Sequence, residues 1–152
     1  MNLGRLGRAE LVAVAGSLLL AACVFLPWYE ANPDNPNATI GGTRGAVSAW
    51  EAQPVLRWLL LAAAVAPPIL VWIVIREHEL SWPRGEMTAV AAIAAFGLVA
   101  YVGFLDRPGQ PGGEISLQPG YFGALLGTLL MIAGGAMSAG QTERTRKPPG
   151  VL

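Results

Sequence analysis

Four stretches of the chain are almost continuously apolar, and the segments between them are rich in Pro, Gly, Asn and charge. A hydrocarbon core of about 30 Å is crossed by roughly 20 helical residues, and the four runs have about that length. The first covers about 9–28, around LVAVAGSLLLAACVFL; the others cover about 55–75, 87–105 and 121–139. Each is bounded by charge, Pro or Gly, and no stretch reads as a strand. The pattern predicts an all-α fold: one integral membrane domain over 1–152, a four-helix bundle of two helical hairpins, with a tail over 140–152.

The basic residues orient this arrangement, because Lys and Arg in short connections resist translocation while acidic residues contribute little. Arg5, Arg8, Arg76, Arg84, Arg144, Arg146 and Lys147 fall on one side, against Arg44, Arg57 and Arg107 on the other. Both termini and the middle loop are therefore expected in the cytoplasm, and the loops about 29–54 and 106–120 outside. Trp28, Trp50, Trp58 and Tyr121 lie near the outer boundary and Trp82 in the inner loop, where amphipathic rings settle between headgroup and water.

Composition agrees with a membrane protein of the cell membrane: 53% of the 152 residues are hydrophobic and only 13% charged. Ten basic and ten acidic residues cancel, so no overall field recruits nucleic acid. Nine of the ten basic residues are Arg, and Ala and Gly abound, a bacterial, high-GC usage. The single cysteine excludes an intrachain disulfide. Leu20-Ala21-Ala22-Cys23 looks like the lipobox of bacterial lipoproteins, but the apolar run continues through Val24, Phe25 and Leu26, which favours a small residue buried in a helix.

Helices in lipid associate through close packing of small residues. Ala9, Ala13, Ser17 and Ala21 recur every fourth residue in the first run, Ala62 and Ala66 in the second, Ala91 and Ala95 in the third. The fourth has Gly120, Gly123, Gly127 and Gly134, including a GxxxG pair, and these faces are expected to be seams within the bundle. Pro67 and Pro68 remove two N–H donors just past the middle of the second run and predict a kink. The two halves also share a faint pattern: Val24-Phe25-Leu26 and Gly103-Phe104-Leu105 each precede a Pro/Gly-rich loop ending in Gln-Pro, at Gln53-Pro54 and Gln118-Pro119.

Chemistry is sparse. No charge lies in the centre of any span, and Arg57, about one turn inside the second, is placed to pair with Glu51, Asp106 or Glu30. His78, the only histidine, sits between Glu77 and Glu79, so neither a metal site nor a Ser-His-Asp triad can be assembled. No cofactor is expected. Because the first outer loop must return to a neighbouring helix, Trp28, Tyr29, Glu30, Trp50 and Glu51 are expected to form one outer-rim patch, with Arg57 and Asp106 beside it. The LPWYE and SAWEA segments, at 26–30 and 48–52, resemble those of uncharacterised small four-span membrane proteins of actinobacterial type, where Leu-Pro-Trp-Tyr ends the first helix and a Trp-containing stretch opens the second. That resemblance implies the four-span fold and brings no activity with it.

The function these features predict is non-enzymatic: a small accessory or scaffold component of a bacterial membrane assembly, embedded in the lipid bilayer, with a larger membrane protein or a second copy as its partner. The alternative is a small transporter, channel or lipid-binding module using the second helix and the outer Trp/Tyr/Glu patch.

Overall fold

A computed structural model of the chain describes residues 6–76 and 85–146. Arg5, Lys147, Trp82, Arg84 and the Glu77-His78-Glu79 run lie outside the described residues. The fold is mostly helical, and three helices are long and apolar enough to cross a membrane.

The first helix, α1 (Arg8–Cys23), carries Glu10 in its first turn, where a carboxylate suits the positive helix end. It closes in a tight final turn, with Phe25 and Leu26 N–H groups donating to Ala22 and Cys23, and Pro27 then has no N–H with which to continue. Its 16 residues rise about 24 Å, so it is shorter than the run 9–28 suggested. After the one-turn helix α2 (Ala49–Ala52) come α3 (Leu56–Ile75), α4 (Glu86–Phe104) and α5 (Pro119–Arg146), the last beginning on a proline whose missing N–H costs nothing there. The three spanning-length stretches are Leu56–Ile75, Glu86–Phe104 and Pro119–Gln141. α3 continues as a helix through both Pro67 and Pro68.

α5 lies along α1 and against α4, while α3 packs on α1 and α4. Missing side chains set the α1–α5 distance. A Cβ at Gly127 would stand 2.8 Å from both the Gly16 carbonyl oxygen and the Leu20 nitrogen, and one at Gly134 2.5 Å from the Ala13 nitrogen. Gly120 and Gly123 are equally close to Pro27 and to the Cys23 sulfur, and Gly135 turns instead to Ala89 on α4. The face that α1 buries is Ala9, Ala13, Gly16, Ser17, Leu20 and Cys23, and Ala21 is only half-buried. A strict four-residue repeat drifts about 40° per step around a 3.6-residue helix, so by Ala21 the stripe has left the seam.

The expectation that the chain contains no strand is wrong. β1 (Pro27–Ala31), β2 (Ala46–Ser48) and β3 (Ile115–Leu117) form an antiparallel sheet in the order β2-β1-β3. The pairing Tyr29 with Val47 on one side and Leu117 on the other draws strands from two loops far apart in sequence onto one central strand. A bulge between Pro27 and Tyr29 re-aims Trp28. The sheet joins the C-terminal ends of α1 and α4 to the N-terminal ends of α3 and α5, making a head at one end of the helices.

Candidate functional site

The head is held from below by aromatic side chains. Trp28 and Tyr29 are both 0% exposed. The Trp28 indole N–H donates to the Cys23 carbonyl at 2.7 Å, a second hydrogen bond on an acceptor that the Leu26 N–H also meets at the end of α1. Its ring meets Tyr121 edge-on at 5.6 Å between centroids. The Tyr29 hydroxyl donates to the Val102 carbonyl of α4 at 3.2 Å, and burial pushes its phenol above the ordinary tyrosine range. Gly103 leaves room for the Tyr121 ring, because any side chain there would overlap it.

Above the aromatics the loop between β1 and β2 is folded by its own sequence. Asn32 and Asn35 each accept the N–H two residues on, in Asx turns over Asn32-Pro33-Asp34 and Asn35-Pro36-Asn37. Ile40 and Thr43 then exchange two 2.9 Å hydrogen bonds across Gly41 and Gly42, whose φ values of 56° and 82° suit a two-residue hairpin that other residues enter with strain. Thr39 and Gln110 exchange a further pair, tying this loop to the one before β3. Arg107 joins α4 to the sheet by donating to the carbonyls of Gly103 and Ile115.

The charged residues singled out from the sequence are not brought to one point. Glu30, on β1, accepts from the Gln118 side chain. Glu51 caps α2, accepting from the Ser48 N–H and hydroxyl at 2.9 Å, and Ser48 accepts in turn from the Glu51 N–H. Asp106 is exposed, in a shallow recess with Phe104, Leu105, Arg107 and Gly112, while Glu51 borders a different recess with Ile40, Thr43 and Pro108. Arg57 meets none of the three acids: it lies over the Trp50 ring, 4.6 Å from its centroid, and donates to the Trp50 carbonyl at 2.8 Å. Trp50 in turn contacts Phe25 at 5.1 Å and Trp58 at 5.2 Å, so one half of the expected patch is a cation on an aromatic ledge and the other half is core.

The hydrogen bonds to Glu51 have a titration consequence. The Ser48 backbone N–H first, then its hydroxyl, hold the Glu51 carboxyl below the usual range. A carboxyl whose folded value is depressed adds stability above its unfolded value, and that contribution is lost as pH falls through the folded one. By carbon NMR the Glu51 carboxyl should titrate with a midpoint below about 4.3, the ordinary glutamate value. Ser48→Ala should move the midpoint part of the way back, since the N–H donor stays; an unshifted wild-type midpoint would show that the cap is absent in solution.

No family model, curated protein or solved structure matches the chain. The candidate site therefore rests on its own geometry.

At the opposite end of the helices is a feature that the sequence reading passed over. A cavity of about 20 Å³, room for one water, is lined by all four long helices, among them Glu10, Pro67, Gly85, Thr88 and Ser138. Ser138 donates to Glu10 Oε1 at 3.0 Å, while Glu10 Oε2 is buried with no hydrogen-bond partner among the described residues. Glu10 escaped notice because it lies at the very start of an apolar run, where a glutamate is an ordinary first-turn residue. The Ser48–Glu51 cap was legible, as a Ser-x-x-Glu signature directly before a helix, and was missed. No group of three or more His, Cys, Asp or Glu side chains placed to hold a metal ion occurs among the described residues.

Proposed function

We propose that the chain is a four-span protein of the bacterial cell membrane with both termini cytoplasmic, and that it serves as a non-enzymatic accessory or scaffold component whose outer head contacts a larger membrane protein. The observation that carries this is the head itself, two loops from separate helical hairpins merged into one sheet and pinned from below by Trp28 and Tyr29. A rigid surface of this kind suits recognition, since little ordering entropy is lost on binding. Three of its carboxylates are engaged in structure: Glu51 in a cap, Glu30 on Gln118 and Glu114 on Asn32. Support for a fourth span comes from α1, which, although short, follows α5 along its length and shares its glycine seam.

Two measurements test the proposal. In a Cys23→Ala background, an impermeant maleimide applied to intact cells should label Asn37→Cys and leave Gln141→Cys unmodified until the membrane is opened; the reverse pattern would invert the topology. A photo-crosslinking side chain at the exposed Asn37, used in the native membrane, should give one discrete adduct with another membrane protein. A solitary monomer with no adduct and no co-purifying protein in mild detergent would overturn the scaffold role.

A second reading, a small ligand-binding or transport module, is favoured by the cavity beside Pro67 with its buried carboxylate. Room for only one water makes it the weaker of the two.

A further inference from the structure

Both ends of α3 carry an arginine laid over a tryptophan. At the head end Arg57 lies 4.6 Å from the Trp50 centroid and 5.7 Å from that of Trp58. At the far end Arg76 lies 4.8 Å from the Trp72 centroid. The helical rise from Arg57 to Arg76 is about 28 Å, close to the thickness of a bilayer's hydrocarbon core. Arg–Trp pairs at that spacing, on a helix of membrane-spanning length, place the Arg57 guanidinium at the level of lipid headgroups.

The Arg57 end is the more completely built. Its guanidinium is fixed by two rings and by the Trp50 carbonyl, its Nε is buried without a hydrogen-bond partner, and no carboxylate pairs with it among the described residues. Of the acids expected to neutralise it, Glu51 is held by Ser48 and Glu30 by Gln118, while Asp106 lies exposed in a separate recess. A cation so clamped has no counter-charge within the protein's described residues and is half-buried rather than enclosed, and a planar guanidinium matches the oxygens of a phosphate. Trp58 beside the guanidinium and Phe25 against the Trp50 ring are each more than half exposed, an apolar surface next to the cation.

We infer that Arg57, Trp50 and Trp58 form a binding site for the phosphate headgroup of an anionic phospholipid in the leaflet at the head end. The inference rests on α3 crossing the membrane and is independent of which side the head faces and of the scaffold role. Net negative charge is required of the lipid, because Arg57 has no counter-charge of its own while a zwitterionic headgroup carries an ammonium that competes for the phosphate.

Native mass spectrometry of the full chain, released from detergent micelles titrated with phosphatidylglycerol or phosphatidylcholine, tests this. The wild type should retain one phosphatidylglycerol in preference to phosphatidylcholine. Arg57→Gln should weaken that adduct roughly tenfold. Arg57→Lys should fall between, since it keeps the charge and loses the planar, two-pronged contact. Arg44→Gln, a loss of charge elsewhere in the head, should change nothing. Equal retention of the two lipids by the wild type, or Arg57→Gln binding phosphatidylglycerol as the wild type does while its circular dichroism and melting are unchanged, would overturn the site. Alkaline carbonate extraction separates the two levels: release of the wild-type chain into the supernatant would refute the membrane placement itself, whatever the lipid result.

Discussion

Gly127→Leu is expected to leave no stable folded protein. Position 127 faces the backbone of α1, where even a methyl group would stand 2.8 Å from the Gly16 oxygen and the Leu20 nitrogen. Those atoms belong to a helix whose geometry is set by its own hydrogen bonds, so neither can give way, and α1 and α5 must separate. The same seam continues at Gly120, Gly123 and Gly134, and a local wedge would therefore open contacts along the whole pair. Gly127→Ala should already lower stability by about 1–3 kcal/mol, the usual cost of overpacking. Thermal or denaturant unfolding in detergent, followed by circular dichroism, reads both. Gly97 and Gly140 have nothing within 4 Å of their added methyl groups, so Ala at either should be neutral or mildly stabilising. Should Gly127→Leu melt with the wild type, the close approach of these helices would be disproved.

The second large effect is expected at Trp28. Truncation to Ala empties a fully buried indole site, removes the edge contact with Tyr121 and takes away one of the two hydrogen bonds that the Cys23 carbonyl accepts, leaving that from the Leu26 N–H. Large aromatic-to-alanine changes in a core cost about 3–5 kcal/mol. The loss should be regional: residues 32–45 should become sensitive to protease while most helical signal survives, because the helices pack on one another through separate contacts. Trp28→Phe keeps a ring and loses the donor, so its smaller loss isolates the hydrogen bond. A head as protease-resistant in Trp28→Ala as in the wild type would mean that the sheet stands without this anchor.

How much of this was legible in the sequence differs from element to element. α3, α4 and α5 were visible because a helix satisfies its own backbone hydrogen bonds, so a single uninterrupted apolar run is enough to announce it. α1 was visible in kind but not in length, since an apolar run carries no mark where Pro27 ends the helix and starts a strand. The three strands were invisible. Two are only three residues long, and the partners of Tyr29, Val47 and Leu117, sit in different loops, so no local periodicity records the pairing.

The candidate site shows the same division. Trp28 and Trp50 have similar neighbours in sequence, and an amphipathic ring fits equally well at a membrane boundary or in a core where its N–H finds a carbonyl. The structure buries the first on Cys23 and gives the second to Arg57. For Arg57 the sequence offered three acids of the right sign, yet Glu51 is captured by Ser48 three residues before it and Glu30 by Gln118 across the sheet. Short-range partners such as Ser48 can be read from spacing; Gln118 cannot.

Where apolar segments lie, how long most of them are and which residues are small enough for helices to touch are properties of consecutive residues, and the chain carries them openly. Which small residues face one another, that two remote loops share a sheet, that Trp28 and Tyr29 leave the surface, and that Glu10 meets Ser138 in a cavity are consequences of packing. They depend on contacts between residues distant in sequence, whose energies exist only once the helices have come together.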